Sequence, residues 1–256
     1  MLKPTISVVI PTCDRPKYLA EALESVLRQT SQPKEILVID NGRIPVDETM
    51  LPNSELIRVI RALPRFGVSQ ARNLGAISAR YDFISFLDDD DSWDANYLDG
   101  VRRTQIESGA DIILGRLRDH NSMQPLSGKQ AVFENKSDLI NQILLRNPGA
   151  VGSNTTVSRS CFNATSGYDP AITTGQDKAL MLDLLLLGAT AAQASTSWVN
   201  FRDDGDGPRQ TELRKRIQGK WRFLSKYWSA MNWRQRLFNL AVLMRLWLRK
   251  TSGRSR

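Results

Sequence analysis

Three short segments, residues 6–10, 35–40 and 82–87, are apolar almost continuously rather than at every second position. A strand of that kind must be covered on both faces, as in a parallel sheet with helices packed above and below. Residues 16–29 between the first two segments place Leu19, Ala22, Leu23, Val26 and Leu27 on one helical stripe. Pro16 sits at the start of that helix and Asp14 is available as its cap. Val68, Ala71, Leu74, Gly75 and Ser78 form a second stripe that feeds the third segment. Strand, helix, strand, helix, strand predicts an α/β fold, Rossmann-like, with a mostly parallel sheet flanked by helices. At 256 residues and 41% hydrophobic, the chain is long enough to bury such a core.

The rest of the chain is less regular. Helices are expected near 96–107 and 137–146, strands near 111–114 and 154–158, and a polar loop through Gly128. A further apolar helix, 176–187, is ended by Gly188. Residues 202–209 break the composition, so the reading divides the chain into a domain at 1–208 and a helical tail at 209–256.

Charge is divided in the same way. The tail holds 14 Lys and Arg against Glu212 alone, +13, which leaves −5 on the preceding 208 residues. Four of the six tryptophans, Trp221, Trp228, Trp233 and Trp247, lie among those cations. The strongly apolar part, 237–248, is too short to span a bilayer and contains Arg245, so an interfacial helix on an anionic membrane surface accounts for it. Packing on the domain and formation of a homodimer compete with that reading. Nucleic acid is disfavoured, because no recognition module accompanies the charge. Cys13 and Cys161 are far apart, His120 is the only histidine, and 6–10 is too brief for a signal sequence. A zinc site and a Ser-His-Asp triad are therefore disfavoured, and the expected location is cytoplasmic, with peripheral contact to the inner face of the cell membrane.

Asp88-Asp89-Asp90-Asp91 follows the third strand directly, where open α/β sheets bind ligands. In extended backbone Asp88 and Asp90 project to one side. Adjacent carboxylates repel unless a cation joins them, and Mg²⁺ or Mn²⁺ held by one or two carboxylates plus phosphate is the natural partner. The plain alternative is an acidic turn that caps the next helix. A calcium loop would need Gly at its sixth position, where Trp93 stands, and neither GxxxxGK[ST] nor GxGxxG occurs.

Residues 6–15 with the following helix, Ile39-Asp40-Asn41-Gly42, Gly67 through Gly75, Phe86 through Asp91, and Gly167-Tyr168-Asp169 followed by Gly175-Gln176-Asp177 resemble, in order and spacing, the family 2 glycosyltransferases. The resemblance covers roughly residues 4 to 190. It implies the GT-A fold, a nucleotide-diphosphate sugar of the UDP type as donor, a divalent metal, and inversion in a single displacement onto a glycan or lipid-linked acceptor hydroxyl. By position, Pro11, Thr12, Asp14 and Asp89 would line the donor site and Asp40 would meet the base. Arg72 would lie near the diphosphate and Asp88 near the ribose, with Asp88 and Asp90 as metal ligands. Asp177 would be the catalytic base, and a carboxylate at a helix start suits that task.

Two departures stand out. Gln176-Asp177 replaces the usual Glu-Asp pair, and Phe201 to Gly205 contains no histidine where many relatives have one, leaving Arg202 or Arg209 as candidate phosphate contacts or the stretch as a linker. A sugar nucleotidyltransferase would need a glycine-rich loop after the first strand, where Pro11-Thr12-Cys13-Asp14 stands. A nucleotide-sugar-binding scaffold without turnover would not need both Asp90 and Asp177.

Overall fold

The computed structural model describes residues 3–128, 130, 132–202 and 213–251. Its first half is a run of βαβ units: β1 (Ile6–Thr12), α1 (Pro16–Leu27), β2 (Glu35–Asp40), β3 (Ile57–Arg61), α2 (Val68–Ser78) and β4 (Phe83–Phe86). β2 and β4 flank β1, and β3 lies outside β2, all in parallel register. The second half adds β5 (Ser92–Trp93), α3 (Tyr97–Ser108), β6 (Ile112–Asp119), α4 (Lys136–Leu145), β7 (Thr155–Ser158), α5 (Arg159–Asn163), α6 (Gln176–Leu186) and β8 (Ala191–Phe201). α7 (Leu213–Lys226) and α8 (Trp233–Thr251) follow. The eight strands form one sheet in the order β3-β2-β1-β4-β7-β6-β8-β5, with β7 antiparallel to both neighbours and β6 parallel to β8.

Alternate residues of the central strands enter two separate cores. Val8, Ile10, Ile36 and Val38 pack with Leu19, Leu23 and Val26 of α1 on one face. Val9, Leu37 and Ile39 pack with Ala71 and Ala76 of α2 on the other. This two-sided burial is why the strands carry no polar face.

Several boundaries differ from the sequence reading. β1 continues through Pro11, although proline cannot donate to a ladder. The Val9 carbonyl accepts from Leu87, just after β4, and the Thr12 carbonyl from Asn41 after β2, so Pro11 faces the β4 side. Pairing there ends at Val9, and no donor is missed. Asp14 does not cap α1, whose cap position is Arg15 without a side-chain bond. Asp88 to Asp91 is a turn closed by Asp91 N donating to Asp88 O at 3.1 Å, not an extended segment. β3, β5 and β8 are additional strands.

The composition break at 203–209, the boundary at 208/209 and Arg209 lie outside the described residues. Beyond them, α7 and α8 form a helical hairpin whose Phe223, Leu224, Tyr227 and Met231 share the core of α4 and α6. Burial of each such side chain contributes about 1.5–3 kcal/mol. Asn239 of α8 donates to Leu144 O at the end of α4 at 2.9 Å, and Gln235 donates to Asn141 at 3.1 Å. The opposite face leaves Trp233, Leu237, Met244, Trp247 and Leu248 exposed. Among the described residues no helix is long and apolar enough to cross a membrane.

Candidate active site

The carboxyl ends of β1, β2 and β4 open onto one site because the three strands run parallel. At the end of β4, each of the four aspartates has its own set of partners, with Arg15 shared by two of them. Asp88 accepts from Arg72 Nη2 at 2.5 Å. Asp89 accepts from Thr12 Oγ1 at 2.7 Å and from Arg15 at 3.3 Å. Asp90 accepts from Arg15 at 2.8 Å, and Asp91 from Ser153 Oγ at 2.5 Å and the Arg202 amide at 2.9 Å.

Arg72 is the hub. Its Nη1 donates to Asp177 Oδ1 at 2.9 Å while Nη2 holds Asp88, so one guanidinium joins the acidic turn to the start of α6. The guanidinium is 3% exposed, lies 5.1 Å from the Tyr168 ring centroid and rests on Gly152, where any Cβ would collide with it. Burial alone would lower the Arg72 pKa, but the two carboxylates reverse that and hold it above its ordinary value.

The carboxylates outnumber the guanidiniums, and their acidities record it. Burial pushes Asp89 up to about 6, with Thr12 and Arg15 opposing and Asp90 and Asp88 adding to the shift. Asp90 is raised by burial and by Asp88, against Arg15. Asp91 is raised well above the ordinary range by burial and then by Asp88 and Asp90. Asp177 is also raised by burial, with Arg72 pulling the other way. This surplus of negative charge suits a divalent cation. Asp88 and Asp90 are the more accessible pair, at 27% and 37% exposure. Among the described residues no three Asp, Glu, His or Cys side chains gather as a metal cage. Two carboxylates with phosphate and water as the remaining ligands is the usual magnesium arrangement, and the residues fit it.

Other expected site residues have structural partners. Asp40 is 1% exposed and accepts from Gly42 N, Val46 N and Arg61 Nη1 at 2.9, 2.8 and 2.6 Å, which fixes the loop after β2. Asp14, with φ +57, accepts from Arg43 N and Ile44 N at 2.7 and 3.2 Å and ties that loop to the end of β1. Arg202 reaches Glu21 at 2.7 Å and His120 at 3.1 Å and lies over Tyr18, so it is anchored toward α1. A cavity of about 180 Å³ lies between α2 and the loop before α6, lined by Phe66, Ser69, Pro170, Ile172, Gln176 and Lys215.

The sequence model of glycosyl transferase family 2 matches residues 7–165, which spans β1 through α5. The chain belongs to this family. The glycosyltransferase GlyG of Streptococcus pneumoniae serotype 4 is 29% identical over 120 residues, 45% of this chain and 40% of GlyG. An uncharacterised Bacillus subtilis glycosyltransferase, YwdF, is 32% identical over 165 residues, 64% of this chain and 52% of the relative. The chain thus spans about half the length of these relatives or less. Residues 1–349 of Staphylococcus aureus TarS, crystallised with UDP-GlcNAc, superpose with a TM-score of 0.68 at 15% identity, covering 87% of this chain and 66% of that one. The likeness shows a shared fold, the GT-A arrangement of a parallel-dominated sheet flanked by helices.

The structure brings Arg72, Asp88, Asp90 and Asp177 into one neighbourhood, together with Arg15, Ser153 and Tyr168, to which the sequence reading gave no role. Arg15 had a signal, a basic residue in the turn directly after the first strand. Tyr168 stood in the Gly167-Tyr168-Asp169 segment, but its contact with Arg72, like that of Ser153 with Asp91, is set by long-range packing.

Proposed function

We propose that the protein is a metal-dependent, inverting glycosyltransferase that moves a sugar from a UDP-sugar to an acceptor hydroxyl. The observation that carries this is the Arg72 bridge between Asp88 and Asp177, which brings a phosphate-side carboxylate and a basic carboxylate from distant segments to one guanidinium. The family match ends before Asp177, so that residue's role rests on geometry.

In this reading Pro11 and Thr12 line the nucleoside side, with Asp40 and Asp14 shaping it by fixing the loop after β2. Thr12 and Arg15 orient Asp89 and Asp90, and Arg72 faces the diphosphate. Asp88 and Asp90 would hold magnesium or manganese, which would supply Lewis-acid stabilisation to the departing diphosphate. Asp177 accepts the proton of the acceptor hydroxyl, whose oxygen bonds to the anomeric carbon as the sugar–phosphate bond breaks. UDP departs with the electron pair, and the single displacement inverts the centre. A diphosphate drawing Arg72 toward itself would also loosen Asp177 for its work as base. The cavity beside Gln176 is the acceptor subsite, where Phe66, Pro170 and Ile172 beside Ser69, Gln176 and Lys215 suit the mixed apolar and hydroxyl surface of a glycan or lipid-linked acceptor.

The exposed aromatic and aliphatic face of α8, beside Arg234, Arg236, Arg245 and Arg249 and with no acid on the helix, suits an anionic membrane surface on the cytoplasmic side. A second copy of the chain is the competing occupant of that face.

The test is UDP binding and UDP release from UDP-sugars, with and without manganese. Asp90→Ala should lose metal-assisted UDP binding and turnover while keeping its fold, because the residue touches Arg15 and not the core. Full turnover in that variant, or in excess EDTA, would overturn the metal assignment.

A further inference from the structure

We infer that α7 sets the position of the base helix α6, with Gly219 and Tyr227 as positioning residues for Asp177. The inference rests on Asp177 being the base. α6 starts from Gly175 without a side-chain cap, and Arg72 ties its first turn to the acidic turn only through Asp177 itself. α7 supplies the restraint from outside, on both sides of Asp177. A Cβ on Gly219 would lie 2.6 Å from Thr174 Oγ1 and 2.8 Å from Thr174 N, so the α7 backbone rests directly on the residue three before Asp177. Thr173 Oγ1 donates to Lys215 O at 2.7 Å.

Beyond Asp177 the contacts continue along α6. Lys178, which is buried, places its ammonium 3.9 Å from the Phe223 ring centroid. The Tyr227 hydroxyl lies 2.9 Å from both Ala179 O and Asp183 Oδ1, and Lys226 pairs with Asp183 at 2.8 Å. α7 is itself braced, since Lys220 bonds Asn239 of α8 and Asn239 bonds Leu144 O of α4. The base is thus held by a helix outside the nucleotide-binding half of the sheet. Displacement of a catalytic group by about 1 Å can cost about a hundredfold in rate.

Gly219→Ala pushes a methyl group into Thr174, and Tyr227→Phe removes only the hydroxyl that spans Ala179 and Asp183. Ser225→Ala, on the exposed side of α7, is the control. In the full chain with manganese, UDP sites are counted by calorimetry. UDP release is then measured per site with UDP-glucose, UDP-galactose and UDP-N-acetylglucosamine as donor probes. Turnover per site should fall about a hundredfold in Gly219→Ala and about tenfold in Tyr227→Phe, with UDP affinity unchanged and the control unaffected. Unchanged turnover per site in both variants would overturn the inference, as would UDP affinity falling in step with turnover. Tyr227→Phe carries the test if Gly219→Ala does not fold. A wild type inert toward all three donors, or Asp177→Asn with full turnover, would instead fail the catalytic reading beneath it.

Discussion

Arg72 shows how much chemistry a single side chain can organise when it is buried between two carboxylates. Removal of Arg72 would leave Asp177 without its cation, which costs several kcal/mol, whereas loss of one carboxylate leaves the other to pair with the guanidinium. The neighbouring Asp89 makes a separate statement about pH. Its folded pKa of about 6 stands above the ordinary 3.8, so between those values the folded state binds more protons than the unfolded one. The stability owed to this group is therefore full below 3.8, declines as pH rises to about 6, and stays low above that, a loss of roughly 3 kcal/mol. Asp82 and Asp111 have lowered pKa values, so their contributions are lost only as pH falls further into the acid range. Thermal melts in EDTA should show the decline in the wild type and a flatter profile in Asp89→Asn. Identical slopes would mean that Asp89 titrates normally.

Among the elements, those that carry the site were the most legible. β2 and α2 lie where the apolar runs and stripes put them, because β2 is covered on both faces and α2 buries one stripe against the sheet. β3 escaped notice because it is a half-buried edge strand whose Arg58 and Arg61 pair with Glu35 and Asp40. β8 escaped because α3 packs closely on it at Gly100, beside Thr196 and Ser197, which leaves small polar residues where a strand pattern calls for large apolar ones.

The hairpin α7–α8 was legible as amphipathic, but its packed face was not. That face makes truncation after Trp233 a destabilising change, since it uncovers Leu144 and Met231. The membrane contact is better tested by Trp233→Ser with Trp247→Ser, two exposed positions. Co-sedimentation with anionic vesicles should drop in the double variant and in high salt, each nearby cation contributing about 1 kcal/mol. Undiminished vesicle binding would remove the lipid reading, and a change in oligomeric state instead would assign that face to a second copy.

For the molecule as a whole, the α/β class and the end of the sheet that holds the site followed from the apolar runs, since parallel strands must expose their carboxyl ends together. The internal wiring of the site did not. Which aspartate meets Arg15, and that Arg72 reaches residues 16 and 105 positions away, depends on the turn at Asp88–Asp91 and on the packing of α6. Local sequence expresses neither.

In the proposed mechanism this wiring separates donor binding from proton removal. Asp177→Asn tests it most directly, with UDP affinity and turnover measured on the same preparation. Affinity should stay nearly unchanged while turnover falls about a hundredfold to ten-thousandfold, the usual contribution of a general base. Affinity that falls as steeply as turnover would contradict it and make Asp177 a binding or structural residue.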